Sequence, residues 1–268
     1  MTDDGTKTAK HAKEGGHWYD ADGRQVVEVT GAKGQPVKPT LRHARKLDLV
    51  PGVTTVIGQV KSYQLERWKI RQAVLAALTL PRVDGETDAA YLNRIDDDGR
   101  EQAKAAAERG TAIHAAIQGY ADTNTVGVEW LPWIEGVTAE LHAAGIATSE
   151  PWRSEVACVS THGYGTKADL VVDGWLLDFK TKDAVDGKTK PYDEHAQQLA
   201  ATRVALREST DLVADRCGIV FLTRDEPVTV RLVEIDEAEI CRGWDCFAAL
   251  LWHWQAKHRH HPWQGTTP

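Results

Sequence analysis

Apolar positions recur along this chain in two rhythms, and the change from one to the other lays out its elements. Over 62–78, Leu65, Trp68, Gln72 and Leu75 fall on one side of a helix for which Ser62 is the N-cap. Residues 81–97 are mostly polar and predict a connection, with room for a short helix at 89–94. Asp98, three residues before Glu101, is placed to cap the next helix, which runs to about Tyr120. Its inward stripe is Ala106, Ile113, Ala116, Ile117 and Tyr120, and His114 with Gln118 lies beside that stripe at i, i+4 spacing. Trp133, Ile134, Val137, Leu141 and Ala144 mark a further helix, ended by Gly145. The period then shortens to two, predicting strands at about 152–159, 167–172 and 175–180. Asp193 opens a helix to about Glu208, 217–222 and 228–235 read as strands, and 236–258 as a closing amphipathic helix.

The stretch before residue 62 is patterned less clearly. Residues 1–16 are polar, rich in Gly and Lys, and expected to be disordered. A hairpin turning at Asp22-Gly23 is expected over 17–29, then a loop at 31–39. Pro51-Gly52 is a turn signal followed by the β-branched run Val53-Thr54-Thr55-Val56-Ile57. Two units are expected: an N-terminal extension at 1–61 and a main domain at 62–268. The order helix, three strands, helix, strand predicts an α/β (α+β) fold.

The chemistry gathers around Asp173-Gly174, the dipeptide favoured in a two-residue type I′ turn. With the turn there, Val172 faces Trp175, Val171 faces Leu176, Leu170 faces Leu177 and Asp169 faces Asp178. Opposed residues share a face with Cβ atoms roughly 4.5–5.5 Å apart. Lys180, two residues beyond Asp178, emerges on that face too. Two facing carboxylates repel unless a cation sits between them. The lysine can serve, but a metal ion is the better candidate, leaving the amine free for catalysis.

This pattern resembles the PD-(D/E)XK nuclease superfamily, and within it the RecB-like branch of phage exonucleases and CRISPR-associated nucleases. Three segments carry the resemblance in the family's order: Gly110-Thr111-Ala112-Ile113-His114, then 165–169 with Asp178-Phe179-Lys180-Thr181, then Gln198-Leu199-Ala200-Ala201. A Pro-x-Val-Thr-Thr phrase like that at 51–55 precedes the core in phage members. The resemblance implies the restriction-endonuclease-like αβββαβ core, a mixed sheet flanked by helices. It implies a divalent-metal-dependent deoxyribonuclease, of the exonuclease type by its branch, yielding 5′-phosphates. Asp169, Asp178 and the main-chain carbonyl of Phe179 would hold Mg²⁺ or Mn²⁺, with His114 as a further ligand. Lys180 would act on the nucleophile, and Gln198 would orient substrate or water. Where the family has tyrosine four residues after that glutamine this chain has Thr202, and Gln118 replaces a frequent glutamate. Glu155 is open between a second-metal ligand and a strand-edge charge, and Lys182 between a phosphate contact and simple exposure.

Composition alters this picture in three places. The net charge of −7 is unusual for a DNA enzyme, but residues 1–71 hold 13 Lys/Arg against 8 Asp/Glu, which leaves −12 for the rest. Residues 33–46 contain Lys38, Arg42, Arg45 and Lys46 and no acid, so a basic strip suited to DNA phosphates stands beside the plainer reading of a solvated loop. The tail from Lys257 to His261 poses the same choice, with a solvated end favoured. The four cysteines lack metal-ligand spacing. The RecB-like relatives that carry an iron–sulfur cluster have one cysteine before the nuclease core, whereas none precedes His114 here, so the resemblance implies no cluster. No apolar run reaches the ~18 residues of a membrane span. A cytoplasmic protein (host cytoplasm if phage-encoded) with DNA as its partner is expected. A homo-oligomer or a single-strand annealing protein would be compatible with the family type.

Overall fold

Trp175 to Phe179 are all buried, which only the central strand of a sheet covered on both faces requires. The computed structural model describes residues 17–60, 63–149 and 151–263. The 1–16 segment and the expected cap Ser62 lie outside them. Nine strands are described: β1 (Trp18–Tyr19), β2 (Val29–Thr30), β3 (Pro36–Val37), β4 (Val50–Pro51), β5 (Arg153–Ser160), β6 (Tyr164–Val172), β7 (Trp175–Lys182), β8 (Arg216–Thr223) and β9 (Val230–Ile235). The α-helices are α1 (Leu41–Leu47), α2 (Val53–Ile57), α3 (Tyr63–Thr79), α4 (Asp88–Thr123), α5 (Leu131–Ala143), α6 (Asp193–Ser209) and α7 (Glu237–His258).

The main sheet has the order β5-β6-β7-β8-β9, with β7 and β8 parallel and the other neighbours antiparallel. A parallel pair needs a crossover, and α6 provides it. The order α4, β5–β7, α6, β8 has the expected αβββαβ arrangement, a mixed sheet flanked by helices. Two cores follow from the two-residue period. Leu177, Phe179, Val220 and Leu222 pack with Ile113, Ile117 and Trp133 under α4 and α5. Leu176, Ile219 and Phe221 pack on the other face with Leu199, Ile240 and Phe247 of α6 and α7.

Several elements differ from expectation. The polar stretch 81–97 is mostly helix: α4 starts at Asp88, where Thr87 caps it by accepting the Ala90 N–H at 3.3 Å, so Asp98 lies inside it. Leu75 is half exposed, and α3 buries Ala76 instead. The β-branched run at 53–57 is the short helix α2, because Val53 and Val56, three apart, both reach the α6–α7 core. The loop expected at 31–39 includes β3, paired with β2, and the basic strip continues into α1. Gly23 does sit in a left-handed turn, but β1 pairs with β4 and meets the expected return strand only at the Tyr19–Gln25 bridge. Trp18, Leu49, Val53 and Val56 share the core of α6 and α7.

Candidate active site

The hairpin between β6 and β7 positions the acids. Asp173 and Gly174 have φ of 47° and 73°, the two left-handed residues of a type I′ turn. The register is Val172–Trp175, Val171–Leu176 and Leu170–Leu177, as expected, and there the ladder stops. Where Asp169 would pair with Asp178 the strands part, and the Asp169 carboxylate accepts the Phe179 N–H at 2.9 Å. The alternation of β6 breaks at the same place. Ala168 packs with the α6–α7 core, whereas Leu170, two residues on, packs with the α4–α5 core. On β5 the pairs Ser154–Leu170 and Val156–Ala168 bracket Glu155, which itself has φ of 50°. A left-handed non-glycine residue next to an interrupted ladder is the kind of local strain that collects at functional sites.

Asp178 points to the α6 face and is 4% exposed. Its Oδ1 accepts the Gln198 amide at 2.8 Å, and its Oδ2 lies 2.6 Å from Lys180 Nζ. Lys180 also donates to Gln198 Oε1 at 3.3 Å, so glutamine, aspartate and lysine close a triangle. His114 approaches from α4, with Nδ1 3.6 Å from Asp169 Oδ2 and its ring edge-on to Phe179. Helix α4 comes this near because residue 110 is glycine: a Cβ there would stand 2.9 Å from Thr181 Oγ1. Gly165 has a similar reason, since a Cβ would stand 2.4 Å from the Tyr19 ring.

The electrostatics follow from crowding. Burial, then the charge of Asp178, pushes Asp169 up to about 8 against the pull of Lys180 and the Phe179 N–H. Burial opposes the Lys180 charge, but Asp178 and Asp169 outweigh it and hold the amine above its ordinary range. Burial lowers His114, favouring the neutral imidazole that a metal requires. Asp169, Asp178 and the Phe179 carbonyl could hold a hard divalent cation that keeps several waters. Among the described residues, no three His, Cys, Asp or Glu side chains are gathered closely enough to hold a metal by themselves.

The remaining expected residues fall in different places. Glu155 stands across from Asp169 and is ion-paired with Lys167, and its charge adds to the raising of Asp169. Lys182 donates to the Tyr192 hydroxyl at 3.1 Å and sits over the Tyr192 and Phe221 rings. Thr202 is buried and bonded to Thr166 at 3.1 Å, a structural pairing. Lys38, Arg42, Arg45 and Lys46 lie on α1 and the loop before it, and none of them contacts these acids among the described hydrogen bonds and ion pairs. Two residues at the site's border escape the sequence reading, Tyr192 and His195 at the start of α6. The His195 ring accepts the Tyr192 N–H at 3.1 Å, a three-residue spacing at a helix start that the sequence does display.

No protein-family model and no curated protein matches the chain. Among solved structures, it is similar to a candidate exonuclease from Eubacterium rectale, at TM-score 0.40 and 12% identity over 58% of this chain and 68% of that one. It is also similar to an alkaline exonuclease, LHK-Exo, from Laribacter hongkongensis, at TM-score 0.37 and 14% identity over 77% and 87% of the two chains. LHK-Exo in complex with dAMP matches at TM-score 0.30 and 20% identity over 56% and 81%.

Proposed function

We propose that this chain is a divalent-metal-dependent deoxyribonuclease, a phage-type exonuclease of DNA recombination, repair or replication that leaves 5′-phosphates. The observation that carries the reading is the set of Asp169, Asp178, Lys180 and Gln198, with Asp178 buried and the others half-buried, in which the two acids are near enough for one charge to raise the other's pKa and the amine is ion-paired with Asp178. Burying two like charges costs several kcal/mol per ion unless something compensates. A single lysine balances one of the two charges; without a metal the other is avoided by the proton that Asp169 keeps up to about pH 8, and a cation would take that proton's place.

Mg²⁺ or Mn²⁺ held by Asp169, Asp178 and the Phe179 carbonyl would supply Lewis-acid charge to the phosphoryl oxygens. The protein's own groups have separate tasks. Lys180 places a fixed positive charge where negative charge develops on the scissile phosphate. Gln198 holds both Asp178 and Lys180 in place. His114, neutral at physiological pH, offers a nitrogen donor next to Asp169, a preference that favours Mn²⁺ over Mg²⁺. Lys182, steadied on Tyr192, is available to a neighbouring phosphate.

The test is hydrolysis of end-labelled linear DNA beside closed circular DNA, in Mg²⁺ and in Mn²⁺, by the wild type, Asp169→Asn and Lys180→Ala. Linear DNA should shorten from its ends, and each variant should lose on the order of 10²-fold or more while keeping its fold. Cleavage of the circle would make the protein an endonuclease. Full binding with no cleavage in either metal would reduce it to a nucleic-acid-binding subunit.

A further inference from the structure

Away from the acids, the two basic stretches of the sequence meet. Lys38 and Arg42, at the start of α1, face Lys257 and His258, at the end of α7, across a groove of about 950 Å³. Its floor is α2, through Thr54 and Thr55, with Gln59 just beyond that helix, and Trp18 and Trp254 line it too. Among the described residues no acidic side chain lines it. The walls are fixed to one another: Arg45 donates to the His258 carbonyl, and the His260 ring meets the Leu49 carbonyl at 2.7 Å. In a chain of net charge −7, three cations around a braced, acid-free groove form a local field of the opposite sign.

The lining also holds two buried polar atoms without a hydrogen-bond partner among the described residues, Trp18 Nε1 and Gln59 Oε1. Trp18 is 4% exposed, and buried indole N–H groups ordinarily find an acceptor. The Gln59 amide nitrogen is already used, donating to the Val56 and Leu250 carbonyls at 3.0 Å each, which fixes its oxygen as a free acceptor. The groove thus presents cations for phosphates, and beneath its lining lie one unmet donor and one unmet acceptor, the pair that a base edge would satisfy. Burial, Lys257 and Arg45 lower the His258 pKa, in keeping with the positive field. The floor is tied to the catalytic strand as well: Gly52, the N-cap of α2, bridges Gly165 of β6, four residues or roughly 13 Å of strand from Asp169.

We propose that this groove is a second nucleic-acid site, which holds a single strand of the DNA substrate with its phosphates on Lys38, Arg42 and Lys257 and a base edge at Trp18 and Gln59. It rests on the nuclease reading for the identity of the strand. A bare strand suits the groove because only unpaired bases can offer their edges to buried partners.

The experiment is fluorescence anisotropy of a labelled single-stranded oligonucleotide of about 20 nucleotides with the full chain in EDTA, across a salt series. Lys38→Glu/Arg42→Glu should weaken binding about 10-fold or more and reduce the slope of log K against log salt by ~0.7 for each phosphate that is no longer neutralised. Trp18→Phe should weaken it several-fold and leave the slope unchanged. Should the double variant fold poorly by melting, Lys257→Glu on the opposite wall gives the same readout. Unchanged affinity and slope in these variants, with the wild type binding, would overturn the proposal. So would displacement of the strand by poly-glutamate as readily as by unlabelled DNA, which would make the groove an acidic-peptide site. Cleavage by the wild type in Mg²⁺ is read in parallel. Groove-dependent binding without any cleavage would leave this site standing and sink the nuclease assignment instead.

Discussion

The Asp169 carboxyl sets the pH behaviour of the metal-free protein. Its folded pKa is raised to about 8 by burial and by Asp178. A raised carboxyl contributes its stability fully below the ordinary value of 3.8, and that contribution is lost as pH rises through about 8. Asp169→Asn, neutral throughout, should therefore melt a few degrees above the wild type at pH 8 in EDTA, and the gap should close on adding Mg²⁺. A variant that melts lower in EDTA would mean that no buried repulsion exists. His195 carries the opposite sign. Burial, then the charge of Lys180, lowers it from 6.5 to about 4, so its contribution is present above 6.5 and lost as pH falls towards 4. Up to ~3 kcal/mol is at stake at full protonation. His195→Asn, which can still accept the Tyr192 N–H, should flatten the acid limb of urea-unfolding midpoints measured between pH 7 and 5. Local composition exposed the acids of this site and left the fields between them unseen, because a pKa depends on which distant residues exclude water.

Among the elements, the β6–β7 hairpin was the most legible, since the Asp-Gly turn and two-residue alternation specify register without help from the rest of the chain. What the alternation could not reveal is that the ladder opens after Leu170–Leu177, next to the left-handed Glu155 on the neighbouring strand. Helix α2 shows the opposite failure. Its β-branched sequence favours a strand, but burying Val53 and Val56 on one side outweighs a propensity difference that is only tenths of a kcal/mol per residue. The first turns of α4 were hidden for a related reason, their exposed polar residues leaving no apolar stripe to read. The placement of α6, and with it Gln198, depends on α7 approaching at Gly243. A Cβ at that position would stand 2.6 Å from the Ala196 backbone, which cannot yield as a side-chain tip can. Gly243→Ala should therefore cost about 1–3 kcal/mol in denaturant unfolding. It should also lower hydrolysis beyond what the stability loss explains, by shifting Gln198. Unchanged stability would show that the two helices part without penalty.

At the scale of the whole molecule, the segment before α3 looks dispensable by sequence, because its basic and polar residues mask a few apolar anchors. Trp18, Tyr19, Leu49, Val50, Val53 and Val56 are each at most 4% exposed. The Tyr19 ring covers Gly165, α2 lies against the α6–α7 core, and His260 near the other end of the chain is bonded to Leu49. Burying one large apolar side chain contributes about 1.5–3 kcal/mol, whereas a folded domain retains only about 5–15 kcal/mol in total. Losing six such residues, and uncovering the surface they shield, would use up that margin. A chain of residues 61–268 should thus show no cooperative thermal transition by circular dichroism, although it keeps Asp169, Asp178, Lys180 and every strand of the main sheet. Adding residues 17–60 in trans at high concentration should restore part of the transition, since the interface is apolar and continuous. A truncated chain that melts cooperatively within a few degrees of the full one would show instead that the main sheet and its helices close by themselves and that the basic groove is carried on a separable arm.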